Sequence, residues 1–340
     1  GTPGKVNSVN SSNPDQSGIR IKHIAYIDSI RMAVRFNEPY DRVIAEDRMN
    51  YNIEGVGHPE LVELDPPAYK RVILTFSRPF ETGIRYTLEA GSRIADCAGN
   101  SIEFKTTGAF EIPEKPSEKD LVINEIFFNP WMGGEDFVEL YNRSAKTIAL
   151  SEICFTNENN DYSCLGDHDR LFFPGEYLVF TENAEALKEQ YHVPYPERVT
   201  EIGKLPGYAN EEGIVGLFDK SMESIDLLEY SESMHFSLLN SFEGVSLEKV
   251  HYDKESSEPS SWHSASSDKG YATPGYKNSQ FTEDKGADDR FQVVPEVFSP
   301  DNDGRDDMLS VRYKLDKPGY VVSIKIFDRR GRMIRNLVNN

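Results

Sequence analysis

The sequence predicts an all-β protein of antiparallel β-sandwiches in series, with one short helix in the second of them. Three observations predict it. Apolar residues recur at every second position over short runs, the period of a strand with one buried face. Pro, Gly, Asp and Asn punctuate these runs at the close intervals of an all-β sandwich. Usage leans towards strand formers, with 17 Tyr and 19 Phe in 340 residues. That length suits two or three domains, and 38% hydrophobic content supplies their cores.

Residues 1–18 are rich in Ser, Asn, Gly and Pro, hold little to bury, and read as a linker. Residues 19–112 form the first sandwich. Ile30, Met32, Val34 and Phe36 alternate with Arg31, Ala33 and Arg35. Val72, Leu74 and Phe76 repeat the pattern, and Tyr86 and Leu88 continue it. Asp96, Cys97, Ala98, Gly99 and Asn100 make a tight turn suited to Gly and Asn backbone geometry. One Asp without a partner motif does not cage an ion. "EIPEKPSEKD", residues 111–120, is the Pro- and charge-rich joint, with 113–120 as the linker proper.

Residues 121–279 form the second domain. Val122, Asn124 and Ile126 alternate with Leu121, Ile123 and Glu125, and "DFVELYN" is the next strand. Asn183 caps a helix in "TENAEALKEQYHV", where Leu187 and Tyr191 lie four apart. "HVPYPERVTEIGKLPGYANEEG" reads as a long surface loop packed by its own tyrosines. Residues 280–290 are an acidic linker. Residues 291–340 read as three strands: Leu309, Val311, Tyr313 and Leu315 share one face, and Val322, Ile324 and Ile326 share another. Roughly fifty residues lie near the lower limit for an independent core. This piece is expected to be incomplete, poorly ordered or completed by packing elsewhere.

Lys+Arg number 37 against 57 Asp+Glu, a formal charge of −20. Such a surface repels phosphate backbones, which disfavours nucleic acid as a partner. No apolar run is long enough to span a membrane. With Gly1 read as a cleavage scar, a secretion signal is expected to have been removed.

Walker, GxGxxG, HExxH and GxSxG motifs do not occur. Cys97, Cys154 and Cys164 offer no zinc spacing. Cys154 and Cys164 are close enough to bridge neighbouring strands, with three unpaired thiols as the alternative. Asp167, His168 and Asp169 are adjacent, and converge on one ion only if a loop holds them. Trp262 beside His263 offers a sugar platform, but the sandwich reading makes Trp262 an apolar plug and His263 loop-capped. His235 reads as structural or surface. Asn124, Glu125 and Glu139 are expected to make surface hydrogen bonds or salt bridges on a solvated sheet. The strongest metal candidate is "SPDNDGRDD": Asp301, Asp303, Asp306 and Asp307 around Gly304 supply part of the oxygen shell of Ca²⁺. Ser299 and the missing Glu break the EF-hand pattern, so a loop-type calcium site and a plain Asx turn stay open. No other cofactor is expected.

Three stretches resemble known families. "FNEP", "FSRP", "NYNIEG" and "IADCAGNSI" give residues 19–112 the look of the bacterial Ig-like domain of the S-layer type. Residues 121–279 resemble the bacterial lamin-tail domain. They carry "NEI…NP…EDFVELYN", "IALSEICF", "FFPGEYLVFTEN", "EGIVGLFDKSMESIDLLEYS", "EGVSLEKV" and "SSWHSASSDKGYATPGYKNS" in family order. Glu152 and Ile153 replace that family's usual Gly-Trp, and Ile153 still suits a core position. "FSPDNDGRDD", "YKL" and "IKIFDRRGRMIR" resemble the front half of the hook-capping and gliding C-terminal type of Ig-like domain.

Together these resemblances imply tandem Ig-like β-sandwiches of a secreted, Bacteroidetes-type protein located outside the cell, on its surface or in the periplasm. They imply a non-catalytic module for adhesion, spacing or protein–protein contact, with a protein or cell-surface polysaccharide as partner. The alternative is a substrate-binding accessory region of a larger secreted hydrolase that processes carbohydrate or nucleic acid.

Overall fold

The alternating runs close on two separate hydrophobic cores. The structure, a computed structural model, describes residues 3–4, 18–91, 93–101, 106–166, 168–236, 239, 241–281, 291–294, 298, 308–313 and 323–339.

The first core is built on β1 (Ile21–Asp28), β2 (Arg31–Phe36), β3 (Tyr51–Ile53), β4 (Leu61–Leu64), β5 (Arg71–Thr75), β6 (Tyr86–Ala90) and β7 (Thr106–Phe110). They form two antiparallel sheets, ordered β1-β2-β5-β4 and β3-β6-β7. Met32, Val34, Val72 and Leu74 from one sheet and Ile53, Leu88 and Phe110 from the other are fully buried in one cluster. Ile30 falls in the turn before β2 rather than in the strand, and Ala33 is buried as well as its neighbours. A single-turn helix, α1 (Arg42–Ala45), follows Asp41, whose side chain accepts from the Val43 and Ile44 amides. The Asp96 turn is stapled from within. Asp96 Oδ1 accepts from the Ala98 and Asn100 amides at 2.8 Å, and Gly99 takes φ +90°.

The second core uses β8 (Leu121–Phe127), β9 (Phe137–Asn142), β10 (Ile148–Ala149), β11 (Ile153–Thr156), β12 (Tyr162–Cys164), β13 (Leu171–Phe172) and β14 (Tyr177–Thr181). It continues through α2 (Ala184–Gln190), β15 (Val199–Glu201), β16 (Glu212–Asp219), β17 (Ser224–Ser231), β18 (Leu247–Lys249) and β19 (Trp262–Ser264). A six-stranded sheet, β15-β14-β9-β8-β18-β19, faces a four-stranded one, β12-β11-β16-β17. Leu121, Ile123, Leu140, Ile153, Phe155, Val215 and Leu217 fill the space between them. Ile153 is fully buried, so the missing Gly-Trp leaves no gap in the core.

The outer face of the six-stranded sheet is covered too. Phe127, Phe137 and Val179 pack under Leu187, Tyr191 and Ala272. Asn183 caps α2 by accepting from the Ala186 amide at 3.0 Å. The expected long surface loop after α2 is partly structural. It supplies β15, parallel to β14, and buries Ile202, Leu205 and Tyr208 in the core. Double coverage explains why every residue of β8 is buried, against the expectation of a solvated face.

Beyond residue 290 the described residues form two hairpins rather than three strands. β20 (Phe291–Val294) pairs with β21 (Ser310–Tyr313), and β22 (Ser323–Phe327) with β23 (Met333–Asn339). Leu309, Val311 and Tyr313 lie within the described residues; Leu315 and Val322 lie outside them. The turn of the second hairpin leans on the second core. The Ser267 amide donates to Arg330 O, and Ser266 Oγ donates to Gly331 O, each at 3.0 Å. The described residues are thus mostly β-strand with two short α-helices, neither long and apolar enough to cross a membrane.

Candidate functional site

Three glutamates, Glu125 on β8, Glu139 on β9 and Glu248 on β18, lie on adjacent strands with no exposed surface. Their strand order brings them together, and residues 271–281 fold over them. Glu139 Oε1 accepts from Asn124 Nδ2 at 2.6 Å and Oε2 from the Gly275 amide at 2.5 Å. Glu248 Oε2 accepts from Ser279 Oγ and the Gln280 amide, each at 2.8 Å. Glu125 Oε1 accepts from Ser246 Oγ at 2.5 Å and the Thr273 amide at 2.8 Å. The carboxylates are therefore a clasp that ties the last loop of this core to the sheet.

The clasp needs a proton. Thr273 Oγ1 lies 3.0 Å from Glu125 Oε2 and 2.7 Å from Glu248 Oε1, yet it carries one hydrogen. We assign the missing proton to Glu125 Oε2, which donates to Thr273 while Thr273 donates to Glu248. Burial, reinforced by the charge of Glu248, raises the Glu125 pKa to about 8. Burial likewise pushes Glu139 well above its ordinary value, and raises Glu248. All three carboxyls are raised, but solvent does not reach them. A cluster closed to substrate holds structure and is not placed for turnover.

The second constellation joins the two cores. Asp169 sits in the loop between β12 and β13 and faces the first core. His23 Nε2 lies 2.9 Å from Asp169 Oδ1, Arg35 Nε donates at 2.8 Å to Oδ2, and Arg71 Nε is 3.8 Å away. Burial pushes this carboxyl up, but the hydrogen bonds from His23 and Arg35 outweigh it and hold the pKa at about 2. Next to it Leu171 is buried in the first core, and Phe173 packs against that core under the Arg85 guanidinium at 4.4 Å. Thr147 Oγ1 donates to Glu111 Oε2 at 2.8 Å across the same seam. A cavity of about 640 Å³ opens beside the clamp, with Lys22, Lys70, Arg170 and Lys188 on its walls.

The remaining sequence candidates separate widely. Asp301, Asp303, Asp306 and Asp307 lie outside the described residues, as does Asp167. Among the described residues no group of three or more His, Cys, Asp and Glu is placed to hold a metal ion. Cys154 and Cys164 face each other in the β11–β12 register and form a disulfide, while Cys97 is a free, exposed thiol. Trp262 is buried and donates from Nε1 to Ser256 O at 2.8 Å; His263 is half-buried. His235 is buried with Nδ1 2.9 Å from Ser264 Oγ, and burial lowers its pKa to about 4.

Asn124, Glu125 and Glu139, expected on a solvated face, are the centre of the clasp. Glu248 and Thr273 were not legible as partners, nor was Lys249 as a buried cation nearby. Lys249 is fully buried, its ammonium 2.5 Å from Ser256 Oγ and 5.1 Å over the Trp262 ring, and burial lowers its pKa to about 8. The available signal was a Glu-Lys pair inside the strand pattern "VSLEKV".

No protein-family model matches the chain, and no curated protein matches it. Among solved structures it is similar to the N-terminal part of the bacterial S-layer protein SbsC, with TM-score 0.26, 15% identity, and coverage of 63% of this chain and 44% of that one. A structure of domains 1–6 of SbsC gives TM-score 0.25 and 13% identity, covering 63% of this chain and 41% of that one. A DUF4876 family protein from Bacteroides thetaiotaomicron gives TM-score 0.19 and 14% identity, over 49% of this chain and 61% of that one. The chain spans less than half the length of the S-layer chains it matches. Likeness at these scores carries no argument about function.

Proposed function

We propose that this chain is a stiff tandem of β-sandwich modules in a surface or secreted protein, acting in spacing and adhesion without catalysis. The seam between the cores carries this reading. Asp169 is gripped by His23 and Arg35, and Leu171 is buried in the neighbouring core. A chain that hands substrate between mobile domains has no use for such a seam; a spacer needs it. The disulfide supports an oxidising location outside the cytoplasm. The lamin-tail and hook-capping resemblances and a calcium-binding role for Asp301, Asp303, Asp306 and Asp307 belong to this proposal as its finer parts.

Paired spin or fluorescent labels at exposed Lys22→Cys and Glu229→Cys, in a Cys97→Ser background, test stiffness. One narrow distance distribution is expected. Asp169→Asn combined with Leu171→Ser should broaden it while both cores keep their strand content by circular dichroism. A broad distribution in the unaltered seam would sink the spacer reading, and robust turnover in a hydrolase and nuclease screen would sink its non-catalytic part.

A further inference from the structure

A cavity of about 750 Å³ lies between the end of α2, the turn Pro196–Arg198 and residues 268–277. Unlike the glutamate clasp, it is open to solvent. Tyr195 on its wall is 43% exposed, and the Arg198 guanidinium stands 4.2 Å over that ring. Arg198 is fixed from the other side, donating from Nη1 to Gly275 O at 2.7 Å. That bond goes to a neutral carbonyl, so it leaves the positive charge uncompensated and four N–H groups to be satisfied. His192 and Tyr276 meet edge to face at 6.3 Å on the far wall. Lys269 and one carboxylate, Asp268, complete the charged lining; Lys277 is also on the wall, but its ammonium is engaged 4.2 Å over the Phe281 ring.

Arg198 and Lys269 against the single carboxylate of Asp268 leave a local excess of positive charge on a protein of formal charge −20. A concave wall of that kind concentrates anions. The rings then narrow the choice. Half-exposed tyrosines present an apolar face that covers the C–H face of a sugar ring, and a polar rim that meets its hydroxyls. A preset guanidinium meets a carboxylate through two parallel N–H bonds. An acidic peptide uses the charge but not the ring platform, and a nucleic acid is repelled by the rest of the surface.

We propose that this cavity binds an acidic polysaccharide, one whose sugars carry uronic acid carboxylates. The proposal deepens the adhesion reading above and rests on it. It names the partner's chemistry and the place where the partner is held.

Titration calorimetry of the full chain with tetragalacturonate tests it. Saturable binding is expected, weakening as salt is raised because the contact is electrostatic. The methyl-esterified oligomer, with the same rings and no charge, should bind at least tenfold more weakly. Lys269→Glu should weaken tetragalacturonate about tenfold, or about 1.4 kcal/mol. Tyr195→Ala should weaken it several-fold and leave the salt dependence in place. All these positions are exposed, and a melting curve checks that each variant folds. If the charge-reversed variant does not fold, the ester comparison on the unaltered protein still decides. No saturable heat with tetragalacturonate overturns the proposal. So does a hexaglutamate peptide that binds as tightly and ignores Tyr195→Ala, which would make this an acidic-peptide site. A chain with a stiff seam and no uronate binding loses this inference alone; a chain that binds uronate across a loose seam loses the spacer reading alone.

Discussion

Glu125 shows how a single proton sets the pH response of the fold. Its ordinary pKa is 4.5, and in the folded protein it rises to about 8. The folded state therefore keeps a proton that the unfolded chain gives up. Its contribution to stability is full below the unfolded value and is lost as pH rises through the folded one. Glu139 and Glu248, also raised, push the same way. The melting temperature should fall between about pH 5 and pH 8. Glu125→Gln, which keeps a donor towards Thr273 and cannot ionise, should flatten part of that fall and match or exceed the unaltered protein at about pH 8. Glu125→Ala leaves the Thr273 amide without a partner and Ser246 Oγ with only its 3.2 Å bond to Tyr271 O, and should cost about 2–4 kcal/mol. A Gln variant with an unchanged pH profile would remove the proton from Glu125. These residues were visible in the sequence as carboxylates on strands, but their setting was not. Thr273, which binds Glu125, lies 148 positions further on. His23 and Asp169 are 146 positions apart. Nothing local to β8 reveals that a distant loop covers its second face.

At the scale of elements, what was local was legible. The alternation of Val72, Leu74 and Phe76 places all three in the first core, since a strand buries every second residue. The helix α2 was readable because its cap and its apolar pair lie within nine residues, from Asn183 to Tyr191. β15 was not, because three residues in parallel pairing with β14 leave no periodic signal. Gly108 on β7 shows the packing that such signals miss. A Cβ placed there would sit 2.7 Å from Ile24 Cδ1, so the two sheets of the first core approach closely only over a glycine. Gly108→Val should therefore cost about 1–3 kcal/mol, seen as a lower urea midpoint with an unchanged m value. An unshifted midpoint would mean that Ile24 repacks without loss.

For the whole molecule, the bulk numbers set the class and little else. Composition pointed to sandwiches, and the sheets bear that out. The charge of −20 disfavoured nucleic acid as a partner, yet it concealed two cavities whose walls are locally basic. Those walls draw on residues far apart in the chain, from Lys22 to Glu201 in one and from Gln190 to Lys277 in the other, which no composition window joins. The Pro- and charge-rich stretch over 111–120 is not slack. Glu111 accepts from Thr147, and the Glu114 amide donates to Thr147 O at 2.8 Å.

The seam at Asp169 gives the tandem a response to force. A pull along the chain loads the covalent tether over 111–120 and the ion-paired contact beside it in parallel. The contact is the weaker of the two, because His23, Arg35 and Leu171 can be drawn away without unravelling a sheet. Under rising tension it lets go first and yields a short, reversible extension before either sandwich opens. In a single-molecule stretching record that step should precede the large unfolding events and disappear in Asp169→Asn with Leu171→Ser. The seam then works as a shock absorber, yielding length early so that the two folded cores survive the load.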